Sequence, residues 1–433
     1  MTNEKTKGIP LHTKILIGFL VGAGAGVTVN QLTAAGIIRY STLEWFVENV
    51  TAPIGQIFLN LLFMVVIPIV FCSLSLGVAR LGNVGKLGRL GVKTFGYFLV
   101  TTTISVAIGV TMVNTLRPGE GFDPETQQAL MERFGGQAKQ RATIAGEGKF
   151  WPDMLVGIVS RNPIRDAAET EMLPVIFFAI LFGLALTMIP RERAEPTIRV
   201  LEGIGDAMVV IVGFAMRIAP FAVPALIFDV TALFGWEILR HLSFYVIIVL
   251  VGYLLHMVGT YSVLLRVFAR YSPGRFFKKM IPVMVTAFST SSSNATLPTT
   301  IKTSEEELGV PSEIAGFVLP LGATTNMNGS SLFASVVVLF IAQVFGVELS
   351  LGMQFLVVLL SVFTAVGAAG VPGGAIPLLV VVLEMVGIPG EGIAIVIGVD
   401  RILDMGRTVV NVMGDATAAC FIGRSEGYPL KTD

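Results

Sequence analysis

The chain has 433 residues, of which 53% are hydrophobic and 14% charged, and its mean hydropathy is +0.78. A soluble globular chain carries about 25% charged residues, so this composition indicates that lipid is the solvent for much of the chain. The formal net charge is zero, and no basic cluster is interleaved with aromatic residues. The net charge alone says nothing about nucleic acid, but the lack of such a cluster excludes a nucleic-acid partner.

Six apolar segments precede residue 281, and most approach the length of about 20 residues that a helix needs to cross a bilayer. They cover residues 15–29, 54–78, 95–113, 173–189, 208–233 and 244–267. The sequence therefore predicts six ordinary membrane spans, followed by an irregular apolar region over residues 281–422.

Catalytic and cofactor signals are missing from the sequence. Cys72 and Cys420 both lie inside apolar segments, and the histidines are scattered without ligand spacing. Residues 82–87 (GNVGKL) lack the pattern of a phosphate-binding loop, so a primary pump is not expected. We expect neither an enzyme nor an organic cofactor.

Lysine and arginine clusters follow the second, fourth and sixth predicted spans, at 80–89, 191–199 and 266–279. Short loops rich in these residues face the cytoplasm. This places the N-terminus in the cytoplasm and predicts a multi-pass protein of the cell's inner membrane. The long polar segment over 117–171 is then expected to be an external, mobile loop.

Small and polar residues interrupt the irregular region twice, at 289–298 (STSSSNATLP) and 365–374 (AVGAAGVPGG). Such backbone cannot face lipid unpaired, so we expect two re-entrant helical hairpins with Pro298 and Pro372 at their tips. A long span follows each hairpin. Repetition of this order is typical of an inverted repeat with its binding site at the repeat interface.

The last span carries charged and amide residues on one face: Asp400, Asp404, Arg407, Asn411 and Asp415 fall within an arc of roughly 80°. A helical ion pair adds only about 0.2–0.5 kcal/mol, which does not explain charges inside a membrane. Arg407 suits a carboxylate, Asp404 an ammonium group and Asp415 a metal ion.

The preceding span contains Asn-Met-Asn-Gly-Ser over 326–330. A kink that glycine permits for packing is one interpretation. A second is a cation site, in which unwound carbonyls and asparagine side chains supply oxygen ligands. The neighbouring polar face favours the second.

Four segments, STSSSNATLP, GATTNMNGSS, GAAGVPGG and VDRILDMGRTVVNVMGD, together resemble the dicarboxylate/amino acid:cation symporters. That family includes archaeal aspartate transporters and vertebrate excitatory amino-acid transporters. The resemblance implies an all-α polytopic membrane protein with eight transmembrane helices plus two re-entrant hairpins, arranged as inverted repeats. It also implies a homotrimer and an elevator mechanism.

The resemblance implies a division of the chain into a scaffold and a transport domain. Scaffold spans lie in 1–94 and 172–240, and span three, 95–116, belongs to the transport domain. The remaining parts are span six at 241–270, the first hairpin at 271–305, span seven at 312–346, the second hairpin, a gate, at 349–389, and span eight at 391–423.

The resemblance also implies site residues. The substrate positions are Ser292, Ser293, Ser330, Val371, Ala375, Asp404, Arg407, Thr408 and Asn411. The sodium positions are Gly322, Thr324, Asn326, Ala365, Val366, Ala368, Asn411 and Asp415.

One departure from the family affects a third ion site. Asn328 stands where the family usually has aspartate, and Phe98 stands where tyrosine is common. Thr101 and Thr102 resemble the other members of this site. The third sodium site is therefore expected to be weakened or absent.

Two further departures change charge. The family's additional arginine is missing at Ser291 and Met405, and Arg401 could partly replace it. Ala334 stands where vertebrate members carry a proton-linked glutamate, so coupled protons would need another group such as Asp400 or Asp404.

The predicted function is secondary active symport of aspartate or glutamate with sodium ions, protons or both. The alternatives are a C4-dicarboxylate:cation symporter and a transporter with an uncoupled anion conductance. The predicted partners are an acidic amino-acid substrate, the lipid bilayer and two further copies in a homotrimer.

Overall fold

The computed structural model describes residues 11–82, 88–121, 159–169, 172–367, 373 and 375–431. Within these residues every regular element is helical. Most of the predicted external loop, together with Ala368, Val371 and Pro372, lies outside the described residues.

The helices before the first hairpin are long and often change pitch. Short π-helical turns, at Val47–Thr51, Leu255–Tyr261 and Leu265–Ala269, continue several of them. The α-helices are Leu11–Ala34, Tyr40–Phe46, Ala52–Phe63, Val66–Gly82, Gly88–Leu116, Pro163–Ala168, Met172–Met188, Arg191–Phe234, Trp236–Leu254 and Ser262–Leu264.

The remaining helices form the interrupted C-terminal part. They are Pro273–Lys279, Ile281–Thr290, Ser293–Glu306, Ser312–Thr325, Asn328–Val344, Leu351–Gly367, Ile376–Met385, a 3₁₀ turn at Gly390–Ile393, and Ala394–Ser425, which we name the polar helix.

Six helical stretches of the described chain are long and apolar enough to cross a membrane. They are Thr13–Ala34, Tyr40–Ala79, Arg89–Leu116, Arg191–Phe234, Trp236–Ala269 and Ser312–Val344. This confirms the prediction of an all-helical chain with several apolar spans. The total of eight spans and two re-entrant hairpins stays a prediction.

Some predicted limits differ from the helices. The boundaries at 94/95 and 240/241 fall inside Gly88–Leu116 and Trp236–Leu254. The break near the second boundary lies instead at Gly235, whose φ of 72° favours glycine. The predicted span 54–78 is also divided, because one helix ends at Phe63 and the next begins at Val66.

In the predicted first hairpin, 271–305, the helices Ile281–Thr290 and Ser293–Glu306 are joined by a turn at Ser291 and Ser292. Ser291 has a φ of 49°, and the Ser292 hydroxyl accepts the Ala295 N–H at 3.2 Å, which caps the second helix. We expected Pro298 at the tip, but it lies inside the second helix. The left-handed residue and the serine cap make this turn.

The predicted span seven, 312–346, is divided into two helices, Ser312–Thr325 and Asn328–Val344, which we together name the discontinuous helix. Asn326 caps the first helix, and Met327 precedes the second. Almost all of it is buried inside the protein, so it forms part of the core.

The polar helix lies at the centre of the C-terminal part. It packs against both helices of the first hairpin, both parts of the discontinuous helix, and Trp236–Leu254. A second group of contacts joins Leu11–Ala34 to Arg191–Phe234 and Val66–Gly82 to Met172–Met188. Leu11–Ala34 and Arg191–Phe234, from this second group, also pack against the polar helix. Protein therefore encloses the polar helix.

The C-terminal segment, residues 426–431, fastens this core on one side. Glu426 forms ion pairs with Arg89 and Lys93. Lys431 donates its backbone N–H to the Leu308 carbonyl at 2.9 Å. The hydrogen bond from Lys93 and then that from Arg89 hold the pKa of Glu426 below its usual range. The segment thus links the loop after the first hairpin to the end of the polar helix.

Replacing Glu426 by glutamine is expected to loosen the C-terminal segment. The lowered pKa means that the ion pairs contribute above the ordinary pKa of a glutamate and are lost as pH falls through the lowered value. Hydrogen exchange of residues 426–431 at neutral pH should be several-fold faster in the variant. The protection of these amides relative to an unfolded chain should no longer fall as the pH is lowered through the pKa of Glu426. Glu195→Gln, which removes an exposed pair with Arg199, is the matched control. Unchanged exchange in Glu426→Gln would contradict the fastening role.

Candidate substrate and cation site

The predicted stripe of the polar helix is buried along its whole length. Asp400, Asp404, Arg407, Asn411 and Asp415 are each exposed by only 2–4%. Because the helical period places them on one face, they form a continuous polar surface inside an apolar core.

Arg407 holds the centre of this face. Its Nη1 donates to Asp400 Oδ1 at 3.0 Å, and its Nε donates to Asp404 Oδ1 at 2.8 Å. The guanidinium carbon lies 4.7 Å from the ring centre of Phe333 in a cation–π contact. The arginine is thus fixed by two carboxylates and one aromatic face.

Asp404 is shared among several donors. Besides Arg407 on Oδ1, its Oδ2 accepts the Gly373 N–H at 3.1 Å and lies 3.4 Å from Arg401 Nη1. Gly373 has a φ of 75° and lies between Leu351–Gly367 and Ile376–Met385. A predicted gate segment therefore contacts the predicted ammonium partner.

Asn411 joins the polar helix to the break in the discontinuous helix. Its Oδ1 accepts the backbone N–H groups of Gly329 at 2.7 Å and Ser330 at 3.4 Å, and its Nδ2 contacts Ser330 Oγ at 3.2 Å. A Cβ at Gly329 would lie 2.4 Å from the Arg407 carbonyl oxygen. Only glycine allows this approach, and the amide satisfies N–H groups freed at the helix start.

Asp415 lies near the end of the buried polar face, against the other side of the break. Its Oδ1 accepts Asn326 Nδ2 at 2.9 Å, and a Cβ at Gly322 would lie 2.4 Å from the same oxygen. Among the described residues, no lysine or arginine forms an ion pair with it. The carboxylate is buried with one neutral donor and a glycine backbone beside it.

Neutral groups surround Asn328. Thr102 donates to its Oδ1 at 2.7 Å, and its Nδ2 donates to the Tyr261 hydroxyl at 3.0 Å. Tyr261 in turn donates to the Val410 carbonyl at 2.9 Å. Both ends of the amide are satisfied without a charge.

The residues from Leu11 to Ser425 match the model of the sodium:dicarboxylate symporter family. The chain belongs to this family. It is accordingly a transporter rather than an enzyme, and its family uses coupling ions. The resemblance seen in the sequence is confirmed.

Curated members of the family cover nearly the whole chain. A proton/glutamate-aspartate symporter of Escherichia coli (strain K12) is 37% identical over 88% of this chain and 87% of its own. A proton/sodium-glutamate symport protein of Bacillus caldotenax is 37% identical over 97% and 95%. A C4-dicarboxylate transport protein of Bacillus subtilis (strain 168) is 32% identical over 92% and 93%.

Three more of the predicted substrate residues are buried, and their role in binding stays a prediction. Ser292 and Ser293 are buried at the tip of the first hairpin, and Ala375 is buried near Gly373. The Thr408 hydroxyl donates to the Asp404 carbonyl at 2.8 Å. Val371 lies outside the described residues, so its role stays a prediction.

The second predicted sodium site is less fully described. The Thr324 hydroxyl donates to the Leu321 carbonyl at 3.0 Å, inside its own helix. Ala365 and Val366 lie near the end of Leu351–Gly367, and Ala368 lies outside the described residues. This site stays a prediction.

The third predicted ion site contains one residue that the sequence did not reveal. Thr101 donates to the Tyr97 and Phe98 carbonyls and not to Asn328. The Tyr261 hydroxyl instead contacts Asn328. Tyr261 lies in an apolar segment like several packing tyrosines, and nothing in its local sequence marks it. Phe333 was missed for the same reason.

Replacing Asn328 by aspartate is expected to destabilise the protein. A carboxylate there would keep the Thr102 bond, but it would lose the donor to Tyr261 and leave a buried charge without a cation. An uncompensated buried charge costs about 3–5 kcal/mol. The melting temperature of the purified variant should fall by several degrees, and added sodium should restore part of it.

Asn114→Asp is the matched control, because Asn114 is an exposed amide bonded to Gln354. A variant at position 328 that melts like the wild type without sodium would contradict the neutral network.

Proposed function

We propose that the chain is a secondary active symporter of an acidic amino acid, aspartate or glutamate, coupled to sodium ions, protons or both. The observation that carries the proposal is the buried Asp404–Arg407 pair on the polar helix. It offers one group for a carboxylate and one for an ammonium within a single site.

Exchange of partners explains how this site takes such a substrate. The substrate carboxylate replaces Asp404 on Arg407, and the substrate ammonium replaces Arg407 on Asp404 Oδ1. Arg407 Nη2 lies 2.8 Å from Asp404 Oδ1 without hydrogen-bond alignment, so it has N–H groups to offer a substrate. Two buried pairs replace one, so the side-chain carboxylate and the ammonium of the substrate each gain a partner, which avoids the cost of burying either charge alone.

Asp415 supports coupling to a cation. A carboxylate buried in a membrane span is costly without a positive partner. Asn326 Oδ1 has no hydrogen-bond partner among the described residues, and turning this amide would place a second oxygen beside Asp415. Carboxylate, amide and backbone oxygens are ligands that a hard cation prefers. The coupling ion then neutralises Asp415 during transport.

The network around Asn328 is evidence that the protein couples to fewer sodium ions than a family member with three sodium sites. Amide and hydroxyl groups satisfy one another there, so no cation is needed for balance. Position 334 is alanine, and coupled protons would use Asp400 or Asp404. The names of the two glutamate relatives, one proton-linked and one proton/sodium-linked, fit this proposal.

The proposed transport cycle uses the family's architecture. Eight spans and two re-entrant hairpins form a homotrimer in the bacterial inner membrane, with the N-terminus in the cytoplasm. The second hairpin is the gate, and the polar helix, hairpins and discontinuous helix move as an elevator against the scaffold. The two packing groups of helices support this division of the chain.

A C4-dicarboxylate is the second candidate substrate. Arg401 beside Asp404 favours it, because this arginine offsets a carboxylate that would otherwise repel a second substrate carboxylate. One relative is named a C4-dicarboxylate transport protein. Strong inhibition of labelled aspartate uptake by succinate would show that C4-dicarboxylates also enter the site, and no inhibition would favour the amino acid alone.

The proposal is tested by uptake of labelled aspartate into proteoliposomes of the purified protein. An inward sodium gradient is compared with an inward proton gradient at fixed membrane potential. Gradient-driven accumulation above the no-gradient level is expected. No accumulation with either gradient would contradict symport, and current without substrate would reveal a separate anion conductance.

Replacing Arg407 by cysteine is expected to lower aspartate uptake at least a hundredfold, because the carboxylate loses its bidentate partner. Initial uptake rates in proteoliposomes measure this loss. Arg199→Cys, which removes an exposed arginine from another helix, is the control. Aspartate uptake retained by Arg407→Cys would remove Arg407 from the substrate site.

Replacing Asp415 by asparagine is expected to weaken the cation dependence. Removing the charged ligand should raise the cation concentration for half-maximal uptake by about tenfold, the size of a 1.4 kcal/mol interaction. The measurement is aspartate uptake over a series of sodium concentrations and of external pH. An unchanged response to both cations would remove Asp415 from the ion site.

A further inference from the structure

Arg401 is a second, largely buried arginine in the substrate site. Its side chain is only 11% exposed, and its Nη1 lies 3.4 Å from Asp404 Oδ2. Among the described residues its Nε has no hydrogen-bond partner. A guanidinium withdrawn from water to this degree for one long contact is expensive as a purely structural element.

The two oxygens of Asp404 are held by different groups. Oδ1 lies 2.8 Å from both Nε and Nη2 of Arg407. Oδ2 is held by Arg401 and by the Gly373 N–H. If Arg407 turns to a substrate carboxylate, only Oδ1 is released, and Arg401 still holds the carboxylate in position and offsets its charge.

The charges of this cluster balance only when Arg401 is counted. Asp400 and Asp404 contribute two negative charges, and Arg401 and Arg407 contribute two positive charges. Without Arg401 the cluster is negative by one. Because a Coulomb interaction is proportional to the charge of the substrate, this extra charge repels a dianion twice as strongly as a monoanion.

We propose that Arg401 determines the substrate charge that the site accepts: it positions Asp404 and admits C4-dicarboxylates alongside acidic amino acids. This inference rests on the proposed function. Arg401 offsets the negative charge of Asp404, so the site tolerates a second substrate carboxylate. Oδ1 of Asp404 can still accept a substrate ammonium.

The test compares two substrates in full-length protein reconstituted into proteoliposomes. The KM for aspartate and the inhibition constant for succinate are measured at a pH at which succinate is doubly ionised. Arg401→Gln and Arg401→Met remove the charge, and Arg401→Lys keeps it. Two charge-removing variants of different polarity ensure that the result does not depend on the folding of one.

Removing the charge of Arg401 is expected to raise both the KM for aspartate and the inhibition constant for succinate. The factor for succinate should be about the square of the factor for aspartate. A threefold rise in the aspartate KM should accompany a rise of about tenfold for succinate. Arg401→Lys should restore the wild-type ratio. Arg199→Gln, on an exposed arginine, should leave both constants unchanged.

The outcomes separate this inference from the function beneath it. Equal factors for the two substrates in the charge-removing variants would show a merely structural role and overturn the inference alone. Failure of Arg401→Lys to restore the ratio would also overturn it. Wild-type protein that takes up aspartate without inhibition by succinate would overturn it as well. Wild-type protein that binds neither aspartate nor succinate would overturn the proposed function and the inference together.

Discussion

The pairing of buried charges on the polar helix is the constraint on which the rest of the structure depends. A charged side chain inside a membrane protein needs a partner, because removing one member of a buried pair costs several kcal/mol. Asp400 and Asp404, paired with Arg401 and Arg407, meet this requirement on one helix. The surrounding helices then serve to exclude lipid from its polar face and to supply the remaining donors.

The break in the discontinuous helix follows from the same constraint. Asn411 and Asp415 need partners that an intact helix cannot provide, since its backbone groups are already bonded. Unwinding at Asn326 and Met327 frees backbone groups of Gly329 and Ser330 for Asn411. The cost of the interruption is thereby offset by hydrogen bonds that the polar helix requires.

Much of this could be predicted from the sequence, because charges with a helical period in an apolar segment leave few alternatives. The break at Asn326 was also predictable, since asparagine and glycine disfavour a continuous helix. The starts of Gly88–Leu116 and Trp236–Leu254 were not, because hydropathy detects only the part of a helix in hydrocarbon. Tyr261 could not be found at all: its role depends on Asn328, which is distant in the sequence and close only in the fold.

The hydrogen bond between Gly373 and Asp404 has an energetic consequence for the second hairpin. A hydrogen bond to a charged group contributes about 1.5–3 kcal/mol. If the predicted gate moves Gly373 away from the polar helix, this bond breaks, which alone would favour the arrangement seen here by roughly tenfold to a hundredfold in population. In the proposed mechanism, the carboxylate that binds the substrate ammonium would therefore also bias the position of the predicted gate, so that substrate binding and gate position would be thermodynamically linked.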